Sequence, residues 1–310
     1  MGVATSQQLT NYYDTYRDTE ITFTKEVIRT LNLDPRQVYI KCNGSQWPCI
    51  INSTSFLAAR IIVGNKSGAF QHLREAGTSA QIRFGFNQPD GDKLCFFVST
   101  RVQSIAPYMA SSDLSVVTLA FTQRPPDDLI ETIGRVLEAN ANAVRRREER
   151  IVMSEDSKRR LSLLKEETVV FIQNVPRNCI IRDLSFSGAK VILLGLAQFV
   201  KDKVAVLRFS FDDTQETVDV KGLIVAADQI EGRKELVTIS IRFDEATVPM
   251  AYKMHINSYL TTLRKNQLDS VPQQNQDNQS NQQALANQAH EKARAALGLA
   301  QAGYMPNTLK

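Results

Sequence analysis

Three stretches of this sequence occur twice, in the same order. Ser55–Val63 reads like Ser185–Leu193, Ile82–Phe86 like Leu207–Phe211, and Leu114–Phe121 like Leu236–Phe243. Each is rich in β-branched and aromatic residues with apolar and polar positions alternating, the pattern of a strand with one buried face. A block of short strands that repeats predicts a tandem duplication of one β-rich unit.

The remaining elements fit that plan. In the first copy, strands are expected at 38–42, 47–52, 58–63, 81–86, 94–105 and 114–122. Residues 24–33 and 67–76 read as short helices, and the unit as a small barrel or a half-closed sandwich. Gln123–Asp128 is a break, and its prolines and aspartates are helix-start chemistry. Leu129, Ile130, Ile133, Val136 and Leu137 then share one helical face, so a helix connects the copies and points into an arginine cluster. The second copy predicts strands at 168–173, 178–183, 189–194, 203–211, 217–226 and 235–243. Its closing helix, at about 246–264, carries Met250, Met254, Ile256, Leu260 and Leu263 as a core stripe. The expected divisions are 1–124, a connecting helix and linker at 125–150, 151–265, and a Gln/Asn-rich tail at 266–310. The tail lacks the apolar residues a core needs and reads as disordered, with a short alanine-rich helix at 290–302.

Composition removes several classes. The net charge of the 310 residues is only +4, so anion binding must be local rather than global. No apolar run approaches the ~18 residues of a membrane span, and no secretory leader is evident. Met1–Ser6 fits the N-myristoylation pattern, which is too short to carry weight. Cys42, Cys49, Cys95 and Cys179 form no C-x-x-C pair and the three histidines are far apart, so packing rather than metal binding is expected of them. Free thiols without framework spacing suit a reducing cytoplasm.

The local anion-binding chemistry lies in 145–188. Arg145-Arg146-Arg147-Glu148-Glu149-Arg150 contains R-x-x-x-R at Arg146 and Arg150, and Asp183-Leu184-Ser185-Phe186-Ser187-Gly188 reads D-x-S-x-x-G. Either element alone is common. Their order, spacing and setting in a β-rich unit with a terminal helix make the pair resemble the ligand signature of the PilZ domain, over about residues 145–265. PilZ domains are bacterial receptors for cyclic di-GMP.

The resemblance implies a mainly β fold: two tandem PilZ-like β-barrels, each followed by an α-helix. It implies that cyclic di-GMP is the ligand, with no cofactor, no metal and no catalysis. The implied ligand-binding residues are Arg146, Arg150, Asp183, Ser185 and Gly188, and Arg145 or Arg147 can assist them. Chemically, arginine keeps its charge and offers a planar fork of donors to phosphate. A carboxylate at Asp183 can accept from the paired N–H groups of a guanine edge. Ser185 can donate to a phosphate or hold the turn, and Gly188 permits a close approach that a Cβ would obstruct. The first copy has Ser53 where the second has Asp183, Ala58 where it has Gly188, and no upstream R-x-x-x-R. It therefore resembles a degenerate PilZ barrel, in a two-domain layout of the PlzA-like kind. The implied partner is an effector protein, such as a flagellar motor component or a regulator of motility or virulence. A ligand touching both linker and barrel would change the angle between the barrels. Lys158, Arg159 and Arg160, with Glu155 and Asp156, are expected in the loop between the two motifs. The competing reading is a nucleic-acid module using Arg145–Arg150 and Lys158–Arg160 on phosphates, with a steep salt dependence. No nucleophile–base pair or P-loop supports an enzyme.

Overall fold

The computed structural model describes residues 4–75, 77–88, 91–212 and 216–269, with side chains through 264. The myristoylation pattern begins outside these residues, and the Gln/Asn-rich tail, with its expected helix at 290–302, lies outside them from residue 270 on. By chain contacts, residues 1–259 form one compact unit that contains both copies. Among the described residues no helix is long and apolar enough to cross a membrane.

The second copy is a closed barrel. Its strands are β10 (Glu167–Ile172), β11 (Val175–Leu184), β12 (Gly188–Leu194), β13 (Val204–Phe211), β14 (Glu216–Ile230) and β15 (Arg233–Phe243). They pair antiparallel in the order β10-β13-β14-β15-β12-β11, and β11 returns to β10 to close the ring. Closure leaves no hydrogen-bonding edge among these strands. Alternation along each strand sends one set of side chains inward: Val170, Ile181, Val191, Leu207, Phe209, Val220 and Ile239 are fully buried.

The first copy follows the same path with one interruption. Its strands are β2 (Tyr39–Cys42), β3 (Ser45–Pro48), β4 (Ile50–Thr54), β5 (Ala58–Gly64), β6 (Ser79–Asn87), β7 (Lys93–Pro107) and β8 (Leu114–Phe121). The single strand expected at 47–52 is two, broken at Cys49. Pro48 has no N–H to donate and ends β3, and Cys49 turns inward, where burial pushes its thiol up to about 12. β3 pairs with β2 and β4 with β5, so the ring passes from one to the other along the chain.

The repetition extends beyond the three matched stretches. Bulges fall between Ile51 and Ser53 and between Ile181 and Asp183, and again between Val102 and Ser104 and between Ile224 and Ala226. Each barrel is preceded by a helix, a two-residue strand and a second short helix. These are α1 (Ser6–Tyr16), β1 (Ile21–Thr22) and α2 (Lys25–Thr30), then α4 (Asp127–Arg145), β9 (Ile151–Val152) and α5 (Glu155–Arg160). β1 pairs with β4 and β9 with β11. Between the third and fourth ring strands lie the short helices α3 (Gly68–Leu73) and α6 (Ala197–Val200).

Three local expectations change. The polar start of the chain is the helix α1, with a capping box: Thr5 Oγ1 accepts from the Gln8 N–H and Gln8 Oε1 from the Thr5 N–H. T-x-x-Q is a helix-start signature, but only Leu9 and Tyr12 of α1 are buried, too few to reveal a periodic apolar face. Residues 155–160 are α5 rather than loop. The closing helix α7 (Met250–Asp269) starts later than expected, because residues 244–247 make a hydrogen-bonded turn ahead of Pro249, and it ends later, at Asp269.

The connecting helix α4 buries all five residues of its expected face. It also packs against α1, where a Cβ on Gly134 would lie 2.6 Å from the Tyr12 ring. Gly134→Leu is therefore expected to displace α1 and lower stability by ~1–3 kcal/mol in urea unfolding. A wild-type midpoint would mean that the Tyr12 ring simply turns away.

Candidate functional site

The arginine linker is laid across the D-x-S-x-x-G turn. β9 makes this happen: Val152 pairs with Asp183 and Ile151 with Leu184, so the residues just before β9 must pass over the turn just after β11. Arg150 forms an ion pair with Asp183. One turn earlier, the Ser187 N–H donates to the Arg147 carbonyl at 3.3 Å and Ser187 Oγ to Glu148 Oε1 at 3.2 Å. Arg147 also pairs with Glu245, at the end of the barrel.

Each expected site residue has a definite place. Arg146 caps the C-terminus of α4, its N–H donating to the Asn142 carbonyl at 2.8 Å. Its side chain is half-buried, and Nη1 is enclosed with no hydrogen-bond partner among the described residues. A guanidinium nitrogen in that state costs roughly 1–3 kcal/mol or more until something accepts from it. Arg145, the last residue of α4, lines a groove of about 590 Å³ with Thr15, Tyr16, Glu20 and Asn140. Arg150 is 44% exposed and Asp183 16%, so the carboxylate is the more enclosed partner of the pair. Such a half-exposed pair contributes ~0–1 kcal/mol, little enough to be exchanged for a ligand.

Ser185 and Gly188 shape the turn. Ser185 is wholly buried; its hydroxyl reaches the Gly188 carbonyl and the Ser187 hydroxyl at 3.3 Å, and its N–H donates to Gly188 at 2.8 Å. Of its two expected roles, this is the turn-holding one. Gly188 opens β12 opposite Arg242, and a Cβ there would overlap the Ile241 carbonyl oxygen. The close approach is between two strands, an arrangement a side chain would wedge apart.

Sequence reasoning passed over three participants: Ser187, Glu148 and Glu245. The comparison of copies held the signal for Ser187, since the first copy has Leu57 at that position. Glu148 and Glu245 had none, because their roles depend on where the linker crosses the barrel. The basic run Lys158–Arg160, expected in a loop, is neutralised within α5: Lys158 pairs with Glu155, and Arg159 and Arg160 with Asp156.

The corresponding place in the first copy is filled by its own side chains, with a carboxylate where the second copy has the linker arginine. Glu20 precedes β1 as Arg150 precedes β9, and Ser53 occupies the bulge as Asp183 does. Glu20 accepts from Ser53 Oγ and pairs with Arg60 at 3.3 Å, while Lys190 is Arg60's counterpart on β12. A carboxylate now stands on the linker side, where it repels a phosphate.

Two β-rich units built on one plan, only the second with a cationic strap over an acidic turn, define a two-domain PilZ architecture. The PilZN3 domain model matches residues 7–140 and the PilZ domain model residues 144–261, and the chain belongs to the PilZ family. A Treponema denticola protein described as a cyclic di-GMP binding protein is 48% identical over 267 residues, 86% of this chain and 85% of that one. Among solved structures, the Borreliella burgdorferi PlzA protein in complex with c-di-GMP is 23% identical and covers 82% of this chain and 98% of its own, at a TM-score of 0.37. Escherichia coli YcgR in complex with c-di-GMP is 13% identical and covers 86% and 98%, at a TM-score of 0.26.

Proposed function

We propose that this protein is a cyclic di-GMP receptor, not an enzyme, whose site is made by the linker arginines and the β11–β12 turn. One observation carries the reading: Arg150 rests on Asp183, so the cations and the acidic turn lie at one spot. A 48% identical relative described as a cyclic di-GMP binding protein supports the choice of ligand. Arg146 and Arg150 bind the phosphates, Arg146 through the enclosed nitrogen that has no partner among the described residues. Asp183, released from Arg150, accepts from a guanine edge. Ser185 and Gly188 hold the turn in the shape this requires, and Arg145 assists from the end of α4. The domain divisions proposed are 1–124, the linker at 125–150, 151–265 and the tail beyond.

The ligand joins α4 to the second barrel, so it favours whichever arrangement of the two barrels lets both halves touch it. The downstream step is contact with an effector protein in motility or virulence control, in the cytoplasm. Solution scattering tests the rearrangement: profiles that are identical with and without saturating cyclic di-GMP would remove it while sparing the binding.

Asp183→Ala tests the site against plain phosphate binding. Dinucleotide affinity is expected to fall at least tenfold, from loss of a charge-assisted guanine contact of ~1.5–3 kcal/mol. Binding of single-stranded DNA, if any, should change little, because a lost carboxylate does not weaken phosphate contacts. Calorimetry with both ligands decides; an unchanged dinucleotide affinity would take Asp183 out of the site.

A further inference from the structure

The two halves of the proposed site hang from one helix. On α7, Tyr252 is fully buried and its hydroxyl donates to the Ser185 carbonyl at 2.8 Å. Its ring is wedged against Phe209 and Phe243, with centroids 5.0 and 5.5 Å away, so the hydroxyl has one direction to point. Five residues further along, Asn257 is also buried. Asn257 Oδ1 accepts from Asn142 Nδ2 at 2.7 Å, and Asn257 Nδ2 donates to Glu138 Oε2 at 2.9 Å. Asn142 is the residue whose carbonyl receives the N–H of Arg146. One side chain of α7 therefore holds the acidic turn, and another holds the end of the helix that delivers the arginines.

Neither contact serves only the barrel core. Asn257 spans from α7 to α4, and Glu138 passes the link to the first copy by accepting from Tyr12 Oη at 3.3 Å. The start of α7 is fixed from the first copy as well: the Met250 N–H donates to the Glu26 carboxylate. A helix is stiff, and five residues along it set a separation of about 7.5 Å.

We infer that Tyr252 and Asn257 are positioning residues for the dinucleotide site, and that α7 is the strut that sets the distance between the linker arginines and the Asp183 turn. The inference rests on the receptor reading. Without the tyrosine hydroxyl the buried Ser185 carbonyl has lost its donor, and the turn can shift relative to α4. Without the asparagine amide the end of α4 can shift relative to the turn. Either change loosens the same separation, so ligand binding must first restore it.

The test uses the full chain with Tyr252→Phe, Asn257→Ala and the double variant. Two quantities are measured: cyclic di-GMP affinity by calorimetry, and amide hydrogen exchange of residues 145–150 and 183–188 without ligand. Each single variant is expected to bind roughly five- to twenty-fold more weakly, the size of one lost hydrogen bond between positioned groups. The double variant should lose far less than the product of the two, because both defects act on one distance. Exchange should quicken at 183–188 in Tyr252→Phe and at 145–150 in Asn257→Ala. A merely structural role would lower the unfolding midpoint and leave the affinity of the folded protein untouched. Wild-type affinity in Tyr252→Phe, or fully multiplicative losses, would overturn the strut. If Asn257→Ala fails to fold, Asn142→Ala cuts the same link from α4 and carries the same expectations. Failure of the unaltered protein to bind cyclic di-GMP would overturn the receptor reading instead. The exchange rates would then decide the strut by themselves, with unchanged rates overturning it.

Discussion

Alanine at Arg150 is expected to abolish measurable cyclic di-GMP binding at low micromolar ligand, and alanine at Arg146 to do the same, with the fold intact. A micromolar affinity corresponds to ~8 kcal/mol. Charge-assisted hydrogen bonds to phosphate supply ~1.5–3 kcal/mol each, and an arginine fork can make two. Losing one arginine therefore weakens binding by about a hundredfold or more, beyond the range of a low micromolar titration. The two variants should differ in stability in opposite senses. Arg150→Ala removes a half-exposed ion pair and costs under ~1 kcal/mol. Arg146→Ala removes an enclosed nitrogen that has no partner among the described residues, so the ligand-free protein should be no less stable and may be compared directly by urea unfolding. Calorimetry on the two purified variants decides; affinity like that of the unaltered protein in both would remove the arginines from the site.

Gly188→Ala is expected to cost ~2–3 kcal/mol of unfolding free energy and to weaken ligand binding with it. The added methyl meets the backbone oxygen of Ile241, which cannot move without the β12–β15 ladder moving. The first copy shows that the barrel itself tolerates a methyl here: Ala58 begins β5 at the equivalent position, opposite Ala120. The clash thus comes from how closely β15 approaches β12 beneath the turn, and relieving it displaces the turn that Ser185 and Tyr252 hold. Urea unfolding and calorimetry together test this. A stable variant with normal affinity would show that the strands can part at this point without disturbing the site.

The degree to which the sequence announced these features follows the range of the interactions involved. Strand alternation is local, and the inward sets of both barrels were legible because period two is written into each segment. Val204–Phe211 alternates along its whole length, and the structure buries that alternate set. The break at Cys49 is not legible in the run 47–52, although Pro48 stands second in it, because apolar residues continue on both sides of the proline. The helix α1 was missed for the opposite reason: its capping box was present, but its buried face is only two residues wide. β9 is two residues long and has no pattern of its own, yet it carries the arginine linker over the turn.

The candidate site divides the same way. Arg146, Arg150, Asp183 and Gly188 were legible as residue types at a spacing. That the glycine answers to the Ile241 carbonyl, that the serine hydroxyl is spent inside the turn, and that Glu20 and Arg60 fill the corresponding place in the first copy were not. Each depends on a partner far away in sequence.

By itself, then, the sequence determined two repeats of one β-rich unit, the helix that joins them, and which unit carries the residues proposed for an anionic ligand. Only the tertiary structure decided that those residues meet, through β9 pairing on β11, and that α7 bonds both to the Ser185 turn and to the end of α4. The reason is physical. Periodicity and residue chemistry belong to single segments, whereas register and distance arise only when segments distant along the chain are packed against one another.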